Sequence, residues 1–132
     1  MESLKILIID DDKASSNFLL KVFSDYGDCD IAIDGIEAVD AFILALEEGV
    51  PYELISLDLM LPLLEGENVL AAIRKIENDK RVDSLKRVKV IVTSALNDTG
   101  LTRDLEKFGI SGYFMKPLDV DQIKKFISSI QL

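Results

Sequence analysis

No apolar run in this chain approaches the roughly 20 residues that a bilayer span requires, and Met1-Glu2-Ser3 leads straight into a strand-like stretch without the basic and apolar regions of a signal peptide. A cytoplasmic protein without membrane insertion is the expectation. Cysteine is nearly absent too: Cys29 stands alone, which excludes an internal disulfide and leaves a core or edge thiol as its expected role. The chain has neither internal repeats nor low-complexity linkers. Cations are outnumbered, and a net charge of −9 opposes direct binding to nucleic acid. Those that exist are unevenly placed. Arg74, Lys75, Lys80, Arg81, Lys86, Arg87 and Lys89 fall close together, interrupted by Glu77, Asp79 and Asp83, and read either as a solvated helix end and loop or as a docking patch.

What remains is ample for one core. With 132 residues, of which 48% are hydrophobic, residues 1–132 read as a single domain. Five apolar runs alternate with amphipathic stretches, the pattern of a parallel sheet covered by helices. The expected strands are Lys5 to Ile9, Asp30 to Ile33, Leu54 to Leu57, Val88 to Thr93 and Gly112 to Met115. The first helix is expected over Lys13 to Tyr26, with Phe18, Leu19, Val22 and Phe23 inward; the second turns Val39, Phe42, Ile43 and Leu46 inward. Val69, Leu70 and Ile73 mark the third. A fourth, around Leu101 to Phe108, ends at Gly109, and a fifth, capped by Asp119, turns Ile123, Phe126, Ile127 and Ile130 inward.

Right-handed crossovers cover both faces of a sheet only if the winding reverses once. The expected architecture is therefore α/β, a five-stranded parallel sheet in the flavodoxin-like order 2-1-3-4-5. That order sets the ends of strands one and three side by side, so Asp10, Asp11 and Asp58 converge on one rim, where open α/β sheets bind ligands. Asp12 stands just before the first helix and reads as its cap. Two further strand ends aim polar groups at the same rim: Thr93-Ser94-Ala95 and Lys116-Pro117. The polar stretch from Glu77 to Arg87 falls at the opposite, amino-terminal rim.

Taken together, Ile6-Leu7-Ile8-Ile9-Asp10-Asp11, then Asp58-Leu59-Met60-Leu61-Pro62 with Gly66, then Ser94-Ala95 and Lys116-Pro117 resemble the receiver domain of two-component response regulators over essentially the whole chain. The resemblance implies a signalling protein rather than an enzyme acting on other substrates. Asp58 would be the phosphoacceptor, taking a phosphoryl group from a sensor histidine kinase or phosphotransfer protein. Asp10 and Asp11, with Asp58 and the Met60 carbonyl, would bind Mg²⁺. Lys116 would neutralise the phosphoryl charge, Ser94 would supply the hydroxyl, and Tyr113 would be the switch aromatic. Thr93 would then point away within its strand. The fourth helix, fifth strand and fifth helix would form the surface read by a downstream protein, and dimerisation through that face is left open. Met60 and Leu96 stand where relatives often carry polar residues that position water, which implies slow loss of the aspartyl phosphate.

Rival readings are weak. A phosphatase of the haloacid-dehalogenase type needs a second aspartate where Met60 stands, and a triple aspartate would repel the cofactor phosphate of a flavodoxin relative. The starting Met1 and the end soon after the fifth helix favour a complete single-domain regulator; the alternatives are a fragment of a larger regulator or hybrid kinase, or a phosphorylation-independent binding module.

Overall fold

The computed structural model describes residues 3–61, 65–95 and 105–130. Its five strands are β1 (Leu4–Ile9), β2 (Gly27–Ala32), β3 (Leu54–Asp58), β4 (Lys89–Ser94) and β5 (Gly112–Met115), all parallel in the order β2-β1-β3-β4-β5. Helices α1 (Lys13–Phe23), α2 (Gly35–Glu47), α3 (Gly66–Asp79) and α4 (Val120–Ser129) connect or flank them. Here α4 is the fifth helix expected from sequence. Of the fourth, only the end from Leu105 lies among the described residues, and Gly109 follows it with φ of 74°. Pro62 and Leu96 also lie outside the described residues.

Period-two alternation along the strands divides the core. Leu7, Ile9, Ile55, Leu57, Val90 and Val92 face α2 and α3. Ile6, Ile8, Leu54 and Ile91 face α1 and α4. Both faces of the central strands are therefore apolar, which is why those strands read as continuous hydrophobic runs. Asp12, Asp34 and Asp119 cap α1, α2 and α4 by accepting backbone N–H groups of the first turn. Among the described residues no helix is long and apolar enough to cross a membrane.

The structure corrects several expected boundaries. β2 begins at Gly27 rather than Asp30, because Leu4 of β1 already pairs there and a Cβ on residue 27 would fall 2.0 Å from the Leu4 carbonyl oxygen. As an edge strand it buries its residues unevenly, with Asp28 and Asp30 exposed, so its first half lacks an apolar signal. Cys29 lies half-buried in this strand, and burial followed by the charges of Asp28 and Asp30 pushes its thiol up to about 11, leaving it a poor nucleophile near neutrality. α1 stops at Phe23 rather than Tyr26, since the Tyr26 carbonyl accepts from Leu4 N at the start of β1. On α2 the most buried apolar side chains are Ala38, Phe42 and Ala45, with Val39 and Leu46 only partly buried beside them.

The amino-terminal rim differs most from expectation. Glu77, expected in a solvated helix end, is 1% exposed. Its carboxylate accepts from Arg74 Nη1 at 2.6 Å and from Val88 N at 2.8 Å. Arg74 also donates to the carbonyls of Phe108, Val88 and Gly109. These side chains occupy both polar groups of the Val88 backbone, and β4 consequently starts at Lys89 instead of Val88. Removing one partner strands a buried charge. Arg74→Ala is expected to lower unfolding free energy by about 3–5 kcal/mol, read as a lower urea midpoint.

Candidate functional site

At the carboxyl rim β1 ends in Asp10 and its neighbour β3 ends in Asp58, the winding reversal having set the two strands next to each other. Both carboxylates are buried, at 1% and 4% exposure, while Asp11 is exposed. Asp10, Asp11 and Asp58 each offer an oxygen, and these oxygens lie within 4.8 Å of one another. Asp12 does not join them: its carboxylate accepts from Ser15 N and Ser15 Oγ, and those bonds hold its pKa below the ordinary carboxylate value.

The local backbone is built to hold this arrangement. Asp10 Oδ1 accepts from Asp12 N at 2.9 Å, and Asp58 Oδ1 accepts from Met60 N at 3.0 Å. Each carboxylate is thus oriented by its own turn, leaving its other oxygen for the cleft. Gly66 opens α3 hard against the end of β3, where a Cβ would lie 2.7 Å from Leu59 Cα and 2.9 Å from the Asp58 carbonyl oxygen. Glycine is the residue that permits this close approach.

From β5 the Lys116 ammonium reaches across β4 and β3 to both acids, 3.2 Å from Asp10 Oδ2 and 3.3 Å from Asp58 Oδ2. The bridge to Asp10 has no signature in the sequence beyond the proximity of the acids. The backbone of Lys116 is fixed by its N–H to the Ser94 carbonyl at 2.8 Å, and the Lys116–Pro117 bond is cis. Burial depresses the Lys116 pKa, but the charges of Asp58 and Asp10 outweigh it and the net shift is upward. Burial also raises the Asp10 pKa, reinforced by the charge of Asp58 and only partly offset by the bond from Asp12 N and by Lys116.

Ser94 is the last residue of β4, within the strand rather than after it, and is fully buried. Strand alternation puts it on the face of Val90 and Val92, the face against which Tyr113 of β5 packs. Thr93 falls on the opposite face, its Oγ1 buried without a hydrogen-bond partner. The Met60 side chain is 61% exposed beside the cleft.

Three hard carboxylate oxygens at this spacing fit an oxygen-liganded divalent cation that keeps several waters, as Mg²⁺ does. Two cavities lined by described residues lie at the other rim, around Arg74 and around Leu85. They do not contain the acids. The carboxyl rim sets the Asp58 carboxylate beside the Lys116 ammonium, an arrangement in which negative charge is partly neutralised.

Comparison with known proteins agrees with this geometry. The family model of the response regulator receiver domain matches residues 6–128. The chain is 27% identical over 128 residues to the chemotaxis protein CheY of Treponema pallidum (strain Nichols), covering 96% of this chain and 81% of that protein. It is also 27% identical over 130 residues to hybrid signal transduction histidine kinase G of Dictyostelium discoideum, of which it spans 4%. Among solved structures, the CheX-CheY-BeF3-Mg+2 complex from Borrelia burgdorferi superposes with a TM-score of 0.81 at 26% identity, covering 96% of this chain and 87% of that one.

The raised Asp10 pKa has a measurable consequence. A carboxyl group that holds its proton more tightly folded than unfolded costs stability above its folded pKa, and the cost vanishes below the ordinary value of 3.8. Without divalent cations, Asp10→Asn is expected to raise the urea midpoint at pH 7, the difference from wild type closing as pH falls below 3.8.

Proposed function

Because this chain belongs to the response regulator receiver domain family, we propose that it is a cytoplasmic phosphoacceptor receiver of two-component signalling, phosphorylated on Asp58 by a sensor histidine kinase or phosphotransfer protein. The observation that carries the reading is the convergence of Asp10, Asp11 and Asp58 with one ammonium shared between the two buried acids. An Asp58 carboxylate oxygen attacks the donor phosphorus, an aspartyl phosphate forms, and the bond from phosphorus to the donor nitrogen, or to oxygen in acetyl phosphate, breaks with its electron pair leaving on the donor.

Like charges oppose that approach. Asp10, Asp11, Asp58 and the Met60 carbonyl would hold Mg²⁺, which supplies charge neutralisation and orientation when bound. Lys116 needs only a short excursion from the Asp58 carboxylate to a phosphoryl oxygen. The Ser94 hydroxyl donates to another phosphoryl oxygen, and Tyr113, on the same face of the sheet, follows it inward. The phosphate thereby favours one of two arrangements of the surface formed by the fourth helix, β5 and α4, which a downstream protein reads. The sole catalysis is the gain and loss of the protein's own phosphate.

The test is mass spectrometry after treatment with acetyl phosphate or beryllofluoride. A Mg²⁺-dependent adduct on wild type and none on Asp58→Asn is the expected result; no adduct under any condition would leave a phosphorylation-independent binding module. Lys116→Ala is expected to slow phosphorylation on the order of 100-fold, since it removes a preorganised cation from the developing charge.

Slow hydrolysis of the aspartyl phosphate belongs to the same reading, because Met60 offers attacking water no hydrogen bond. Met60→Asn is expected to shorten its lifetime severalfold, one hydrogen bond being worth ~1 kcal/mol and a tenfold rate change ~1.4 kcal/mol. Phosphate release followed over time checks this.

A further inference from the structure

The cationic cluster noted in the sequence is not absorbed by the phosphoacceptor site. Two cavities of about 670 and 680 Å³ flank the start of β4 at the amino-terminal rim and share Arg87 and Lys89 in their walls. In the first, Arg74, Lys75, Arg87, Lys89 and Lys107 face a single carboxylate, Asp79. In the second, Lys5, Lys86, Arg87 and Lys89 face Asp28 and Glu53. A cationic wall stands out on a chain of net charge −9.

Some of these cations already have partners. Arg74 is committed to Glu77 and to three carbonyls, and Lys75 pairs with Asp79 at 2.7 Å. Lys5 donates to the Val50 carbonyl and lies 4.8 Å from the Tyr52 ring. Arg87 uses Nε on the Val82 carbonyl, and no described carboxylate pairs with its guanidinium, with Lys86 or with Lys89. Apart from Lys107, which lies over the Phe108 ring, the positive charge left for a ligand is therefore at the ridge between the cavities. Beside it Leu85 is 89% exposed and Val50 52% exposed, large apolar surface for positions so open to water.

We propose that this trough binds an acidic segment of a partner protein, with carboxylates on Lys86, Arg87 and Lys89 and an apolar side chain against Leu85 and Val50. Each cavity alone has the size of a small-ligand site, about 300–1,000 Å³. They lie on either side of the ridge that carries Arg87 and Lys89, so the cations are spread over both walls, not gathered on one point as a lone phosphate would require. Leu85 and Val50, both in the wall of the second cavity, likewise suit a side chain. Such binding draws on charge complementarity and so weakens with salt.

Fluorescence anisotropy of a fluorescein-labelled peptide of repeated Glu-Glu-Leu units tests this. Binding that weakens with added salt is expected, with affinity falling about tenfold in Arg87→Glu/Lys89→Glu and severalfold in Lys86→Glu, whose side chain is exposed. Leu85→Ser is expected to weaken it as well. Asp58→Asn should bind like wild type, so failure of the phosphoacceptor reading and failure of this one are distinguishable. The proposal is overturned if the peptide does not bind, if a Gln-Gln-Leu peptide binds equally well, or if neither charge reversal weakens binding. Displacement by inorganic pyrophosphate, together with indifference to Leu85→Ser, would instead mark a small-anion site and also overturn it.

Discussion

Two carboxylates buried at the ends of adjacent strands repel each other, and the structure around them is organised to tolerate this. Asp10 and Asp58 are together because one reversal of winding makes β1 and β3 neighbours. Each spends one oxygen on a backbone N–H of its own turn, and both share the Lys116 ammonium through the other. Even so, burial and the charge of Asp58 keep the Asp10 pKa above its ordinary value. A site left with residual repulsion is ready for anything that brings positive charge to it.

The close packing at Gly66 and the anchoring of Lys116 serve the same end from different elements. Gly66 lets α3 begin against the turn that carries Asp58. The Ser94 carbonyl holds the Lys116 backbone, so the residue proposed to sense the phosphate is hydrogen-bonded to the residue that would neutralise it. The two backbones are joined there by one hydrogen bond.

Much of this was legible in the chain. Central strands buried on both faces write themselves as apolar runs, strand ends place their following residues at one rim, and aspartate before a helix announces a cap; Asp10, Asp58, Asp12 and Asp119 follow those rules. Edge strands do not, and β2 begins with Gly27 and the exposed Asp28 where apolarity gives no warning. Nor does a helix face reveal its depth: Ala38 and Ala45 are buried, whereas periodicity weighted the larger side chains. Glu77 was hidden for a third reason. A carboxylate whose partners come from Arg74 and from the Val88 backbone looks, in one dimension, like any charge in a solvated helix end.

Acids at one rim and cations at the other lie a strand's length apart. β4 runs six residues from Lys89 to Ser94, about 20 Å at ~3.3 Å per residue. Two unit charges so separated interact by under ~1 kcal/mol at an effective dielectric constant of about 20, before ions with a screening length of ~8 Å reduce it further. A phosphate gained at one end is thus nearly invisible, as an electric field, at the other. If the two rims ever answer each other, the message has to travel as a displacement of the strands themselves.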